Sequence, residues 1–185
     1  MGEVIVVQFI TLDGVVSDPD GRGGTGYGGW AFRFGPGAVT DDKFRIRERT
    51  DVQLYGRRTW EQFAKLWPNR DSMWAQVMNA VPKRVATHTS IDVSAWSNST
   101  AIEGDPIEWV KDEREHRNVV VIGSLSLVRA LAAADLVDEY RLITFPTVVG
   151  AGDRLFANGA PADFRFAEVE AIDAAVLTVL RRDRA

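Results

Sequence analysis

The 185-residue chain contains no cysteine. Disulfides, thiolate nucleophiles and cysteine-ligated metals are therefore excluded, and nothing requires an oxidising compartment. Histidine is almost as scarce: His88 and His116 are the only two, which excludes a histidine-rich metal site. No apolar run reaches the ~20 residues of a membrane-spanning helix. An excess of positive charge is also missing. Lys and Arg number 22 against 26 Asp and Glu, for a net charge of −4, which argues against a general nucleic-acid or membrane-surface binder. The N-terminal MGEVIVVQFITLDG lacks a basic leader and meets Glu3 and Gln8 too early for a signal peptide. These absences lead to the expectation of a cytoplasmic, metal-free protein with a small molecule as its partner.

What is present is ordinary for a single domain spanning residues 1–185: 45% hydrophobic and 26% charged residues, with no repeat or linker to divide them. Val4–Ile10 is almost continuously apolar and β-branched, as in a strand buried on both faces. Residues 13–39 are rich in Gly, Asp and Pro and read as a long loop. Thr40 offers an N-cap for a helix to about Arg49, with Asp41 and Asp42 in its first turn. VQLYG (Val52–Gly56) reads as a strand and RRTWEQFAKLW as a helix, whose Trp60, Phe63 and Trp67 form an apolar stripe better suited to packing than to a ligand. Further helices are expected over Ser72–Ala80, Ile107–Glu115 and from Ser124, and strands at KRVAT, VVVIG and DEYRLITFP. The C-terminal FRFAEVEAIDAAVLTVLRR reads as two antiparallel strands turning near Asp173–Ala174. The alternation predicts an α/β fold whose sheet is parallel first and mixed at one edge.

Gly24, Gly26 and Gly29 spell G-x-G-x-x-G. That pattern grips a dinucleotide only where a strand leads straight into it and a helix follows. Here a loop precedes it and WAFRFGPG follows, so the match is a product of composition. Two other junctions have the required context. At LYGRRT, Gly56 ends a strand and a helix begins at once, so backbone N–H groups can face an anion. Arg57 and Arg58 would suit a 2′-phosphate and Thr59 would add a hydroxyl. Equally, the arginines could be solvated and Thr59 a helix-start residue. At VVVIGSLSL, Gly123 permits a tight turn, and Ser124 or Ser126 could cap the helix or bind a phosphate oxygen. Alone, that second junction reads as an ordinary capped helix; the pair together favours a dinucleotide.

TLDG at Thr11–Gly14, LYGRRTWE at Leu54–Glu61, PKRVAT at Pro82–Thr87, and VVVIGSLSLVRAL with the later LVDEYRL and PTVVGAGDRLF, between Val119 and Phe156, occur in an order and spacing that cover nearly the whole chain. With these segments the chain resembles the dihydrofolate-reductase-like superfamily, especially stand-alone relatives of the reductase domain of bacterial riboflavin-biosynthesis deaminase–reductases. The resemblance implies a mixed, mostly parallel central sheet of about eight strands with flanking helices and an antiparallel C-terminal hairpin. It implies NADPH as cofactor, with Gly56, Arg57 and Thr59 as the phosphate grip and Arg57 near the adenosine 2′-phosphate. Thr87 and His88 would lie beside that phosphate or the adenine, and Gly123, Ser124, Leu125 and Ser126 would form the pyrophosphate turn. Gln8, Phe9 and Ile10 would line the nicotinamide, and Thr144 would face the substrate. The usual Gly-Gly of the pyrophosphate turn is Gly123-Ser124 here, and Val15 stands where the riboflavin-pathway enzymes carry lysine.

The function these features imply is hydride transfer from NADPH to a small pterin- or pyrimidine-like heterocycle. The alternative is an NADP-binding protein with little catalytic activity. Loop 15–39 is expected to close over the nicotinamide, with Tyr27 and Trp30 reaching the substrate. Asp41, Asp42 and Asp13 are the candidate proton donors. The plainer role is favoured for each: Asp41 and Asp42 complement the helix dipole, and Asp13 serves turn chemistry. A homodimer is expected from the resemblance.

Overall fold

A computed structural model describes residues 1–35, 37, 51–157 and 161–184. The expected helix over Thr40–Arg49, with Asp41 and Asp42, lies outside the described residues. The eight strands are β1 (Val4–Thr11), β2 (Val52–Gly56), β3 (Lys83–Ala86), β4 (Ser99–Ala101), β5 (Val119–Val121), β6 (Glu139–Phe145), β7 (Phe164–Ile172) and β8 (Ala175–Arg182). They form one sheet in the order β4-β3-β2-β5-β1-β6-β8-β7. Four α-helices lie wholly among the described residues: α1 (Arg57–Ala64), α2 (Met73–Ala80), α3 (Pro106–Arg114) and α4 (Leu125–Ala133). None is long and apolar enough to cross a membrane.

The chain divides into two compact units, and β1 contributes to both. The first unit comprises Met1–Val6 and Arg47–Leu136. Its strands all pair in parallel, Val4 with Val119, Val52 with Val119, Gln53 with Lys83, and Lys83 with Ser99. Parallel strands are covered on both faces, which is why β5 and the start of β1 are unbroken apolar runs. Val4, Ile5, Val6, Val52, Leu54, Val119, Val120 and Val121 are all fully buried. The aromatic stripe packs as expected: Trp60 and Trp67 are buried, and Phe63 meets the rings of Tyr55, Trp67 and Trp96 edge-on. Ser72 caps α2 and Asp105 caps α3, each side chain accepting a first-turn N–H.

The second unit comprises Val7–Ile46 and Val137–Ala185. Here β6, β8 and β7 are antiparallel, and β7 turns into β8 at Asp173, whose φ is 50°. Residues 15–35 are more ordered than a bare loop. Trp30–Phe34 forms a 3-10 helix, and Val15 bridges to Arg154.

Candidate functional site

Because Val52 and Leu54 pair with Val119 and Val121, β2 and β5 end side by side, and the turns that follow them interlock. The Gly56 N–H donates to the Gly123 carbonyl at 2.8 Å. A Cβ on Gly56 would stand 2.3 Å from Ser124 Oγ and 3.0 Å from the Ser124 backbone nitrogen. Gly123 has φ +121°, and a Cβ there would meet Thr59 Oγ1 at 3.0 Å. The Gly123–Ser124 peptide bond is cis. Each turn leads directly into a helix, Arg57 opening α1 and Leu125 opening α4.

These two helix starts differ from the others. Neither α1 nor α4 has a capping side chain or an acid in its first turn, whereas α2 and α3 are capped. First-turn N–H groups have no intrahelical acceptor, and the helix dipole makes them partly positive. Two such ends, emerging from neighbouring parallel strands, are chemically suited to the oxygens of a phosphate. Ser124 Oγ and Ser126 Oγ lie 2.9 Å apart, adding hydroxyl donors at the start of α4.

Beside them lies the turn after β3. Gly56 pairs with Ala86, so Arg57 and residues 87–89 leave adjacent strands. Arg57 donates from Nε to Glu61 Oε1 at 2.7 Å and from Nη1 to Thr89 Oγ1. The turn closes on itself, with Thr87 Oγ1 donating to the Thr89 carbonyl at 2.8 Å. His88 and Arg58 are exposed. In the first unit the structure thus brings Gly56 and Thr59 against Gly123 and Ser124, and Arg57 against the turn of Thr87 and Thr89; Arg58, His88, Leu125 and Ser126 lie in the same turns by sequence. Thr89 was not among the residues singled out from sequence; its signal was only a second threonine after the KRVAT strand.

In the second unit the candidates meet a different fate. Asp13 is engaged on every side. Thr11 Oγ1 donates to it at 2.6 Å, and the N–H groups of Val149 and Gly150 donate at 3.2 and 2.8 Å. The Thr11 hydroxyl, followed by the Gly150 N–H, holds the carboxyl at about 2, far below the value needed to carry a proton at neutral pH. These bonds make Asp13 a staple between residues 11–14 and 147–154, the turn role expected of it beside the catalytic one. Trp30 is corrected. It is fully buried, its Nε1 donates to the Ser17 carbonyl at 3.0 Å, and it packs edge-on against Phe145, so it is a core residue rather than a reach toward substrate. Tyr27 is half-buried, its hydroxyl 3.3 Å from Ser17 Oγ.

The glycine-rich segment of the loop expected to close over the nicotinamide is held by further contacts. Asp18 gathers it, accepting from Gly23 N, Thr25 N and Thr25 Oγ1 at 2.7, 3.0 and 2.6 Å. Val16 N donates to the Asp153 carbonyl and Leu155 N to the Gly14 carbonyl, so residues 14–16 are zipped to 153–155. Gln8 and Phe9 are half-buried and Ile10 is buried on β1, with Phe9 edge-on to Phe145 at 5.2 Å. Thr144 is half-buried on β6, opposite Val176. Asp41 and Asp42 lie outside the described residues.

Residues 3–178 match the RibD C-terminal domain. The chain belongs to that family. It is also 24% identical over 163 residues to YyaP of Bacillus subtilis (strain 168), an uncharacterized protein, across 84% of this chain and 80% of that one. Solved structures share the fold. A Shewanella sp. PV-4 protein provisionally assigned to riboflavin biosynthesis has a TM-score of 0.76 and 21% identity, over 98% of this chain and 99% of its own. A pyrimidine reductase-like protein of Corynebacterium diphtheriae has a TM-score of 0.68 and 10% identity, over 100% and 93%. The Thermotoga maritima diaminohydroxyphosphoribosylaminopyrimidine deaminase/5-amino-6-(5-phosphoribosylamino)uracil reductase has a TM-score of 0.60 and 16% identity; the match covers 98% of this chain but 57% of that one. The family's fold is therefore this chain's fold.

Proposed function

We propose that the protein is an NADPH-dependent reductase of a small pterin- or pyrimidine-like heterocycle. The observation that carries this reading is the pair of uncapped helix starts locked together at Gly56 and Gly123. Membership of the RibD C-terminal domain family, a family of reductase type, agrees with it.

The residues present fit a dinucleotide's phosphates. A Cβ at Gly56 would fill the space against Ser124, and the open N–H groups of α1 and α4 supply donors without competing acids. Gly123, Ser124, Leu125 and Ser126 would hold the pyrophosphate, and Arg57, with Arg58 and Thr59, the 2′-phosphate. A guanidinium suits that phosphate because it stays charged and presents a planar fork of donors. NADPH, when bound, supplies the hydride, and the protein's part is orientation and electrostatics. Gln8, Phe9 and Ile10 are assigned to the nicotinamide end and Thr144 to the substrate. With Asp13 committed to its staple, the proton is assigned to Asp41, Asp42 or water.

The test uses the six tryptophans as reporters. Titration with NADPH quenches their fluorescence, and NADPH binds more tightly than NADH. Arg57→Ala weakens NADPH by about 10- to 100-fold, the scale of a lost charged hydrogen bond, and leaves NADH nearly unchanged. Equal weakening of both cofactors, or binding of neither, would overturn the phosphate assignment. NADPH oxidation with a panel of pterins, flavin precursors and carbonyls then tests the chemistry. Tight binding with no turnover across the panel would leave an NADP-binding protein.

A further inference from the structure

An arginine at the exposed start of a helix is normally free to sample many rotamers, and that freedom is lost when it grips a phosphate. Arg57 is not in that state. Its guanidinium is held at two points that come from different elements: Nε by Glu61, one turn further along α1, and Nη1 by Thr89, in the turn after β3. Thr89 is itself fixed, since its carbonyl accepts from Thr87 Oγ1 at 2.8 Å and its N–H donates to the same oxygen at 3.3 Å. The parallel register of Gly56 with Ala86 is what places the two turns within reach.

The two restraints are chemically unequal. Glu61 is an anion, so an arriving phosphate competes with it for the same cation. Thr89 is neutral and accepts through a hydroxyl, so it keeps its hold while other guanidinium donors turn to the ligand. We propose that Thr89 is a positioning residue which, by fixing Arg57, sets the preference for a 2′-phosphorylated dinucleotide over its unphosphorylated counterpart. The proposal rests on the NADPH reading above and adds to it the residue that makes the arginine selective. Arg57 and Thr89 are 32 residues apart in sequence, and no local motif links them.

The experiment is a double-mutant cycle on the full chain: wild type, Thr89→Val, Arg57→Ala and both together, with Thr89→Ser as the conservative replacement. Kd for NADPH and NADH is read from tryptophan quenching, and thermal unfolding is recorded for each protein. Thr89→Val keeps the side-chain shape and removes the acceptor. It weakens NADPH by about three- to tenfold, the range of one hydrogen bond, and leaves NADH unchanged. Thr89→Ser retains wild-type affinity, and in the Arg57→Ala background Thr89→Val has no further effect. An equal loss of NADPH and NADH, an undiminished effect without Arg57, or no effect at all would overturn the proposal while Arg57→Ala still abolishes the preference. If wild type has no preference for NADPH, or Arg57→Ala leaves it intact, the cofactor reading fails and this inference with it.

Discussion

Gly56→Ala isolates the interlocked turns from every other feature of the protein. Gly56 has φ −75° and ψ 155°, values any residue adopts, so alanine introduces no backbone strain of its own. The cost is steric. The added Cβ would stand 2.3 Å from Ser124 Oγ, 2.8 Å from Ser124 Cβ and 3.0 Å from Ser124 N. Rotation of the serine side chain relieves only the first contact; the other two involve atoms fixed to the turn. That turn is tied back to Gly56 by the 2.8 Å hydrogen bond from its N–H to the Gly123 carbonyl, so relief requires the turns after β2 and β5 to move apart. Overpacking of this kind costs about 1–3 kcal/mol. In a protein of this length that corresponds to a fall in Tm of roughly 2–10 °C.

The effect on binding exceeds the effect on folding, because the same movement displaces the N–H donors assigned to the phosphates. Losing one or two charged hydrogen bonds weakens NADPH by about 10- to 100-fold or more. Gly26→Ala is the matched control: no atom lies within 4 Å of its Cβ position, so both Tm and Kd stay at wild-type values. Differential scanning fluorimetry and fluorescence titration give the two numbers for each variant. A Gly56→Ala protein that loses stability yet binds NADPH normally would refute the assignment of phosphate to these turns. One with unchanged Tm would refute the packing argument, and weakened binding in Gly26→Ala would return the glycine-rich segment to the cofactor.

Two further perturbations test single residues. Lys83 is fully buried, its Nζ donating to the Asn79 and Val81 carbonyls at 3.2 and 2.6 Å and lying 4.6 Å from the Trp96 ring centroid; burial lowers its amine from 10.5 to about 8. Between those values the unfolded chain binds more protons, so stability rises with pH across this window by on the order of 3 kcal/mol relative to Lys83→Met. Urea titrations at pH 7.5 and 10 measure it, and a difference that does not change with pH counts against the charge argument. Asp13→Asn lowers Tm at neutral pH by weakening the staple to Val149 and Gly150. Because the Asp13 pKa is depressed from 3.8 to about 2, the wild-type advantage is present above pH 4 and disappears as pH falls toward 2. Lost turnover with unchanged Tm would instead restore Asp13 as a catalytic acid.

What could be read in the sequence was what neighbouring residues decide. The β2–α1 and β5–α4 junctions each lie within about ten residues, so apolar run, glycine and amphipathic helix appear in order and name themselves. The hairpin at Asp173 is local in the same sense. What could not be read depends on distant partners. Asp13 looks like turn chemistry until its acceptor role toward Val149 and Gly150, 136 and 137 residues away, is known. Trp30 sits in a stretch with no apolar period, yet Phe145 and the Ser17 carbonyl bury it. The three-residue strand Ser99–Ala101 is polar and too short to show alternation; its existence rests on pairing with β3. Thr89 becomes informative only when parallel register sets it beside Arg57.

Glycine itself makes the same point. Gly24 and Gly26 form part of a nucleotide signature on paper, but nothing lies within 4 Å of a Cβ built at either. Neither position is therefore reserved by close approach, and the segment is organised by the carboxylate of Asp18. Gly56 and Gly123 belong to no such signature, yet each is pressed against the opposite turn, Gly56 against Ser124 and Gly123 against Thr59. At these two positions the missing side chain lets two backbones approach, and the N–H groups of two helix starts emerge together. Contact between the two turns, rather than spacing along the chain, is what separates these two glycines from Gly24 and Gly26, and a Cβ at Gly56 is the smallest change that can show it.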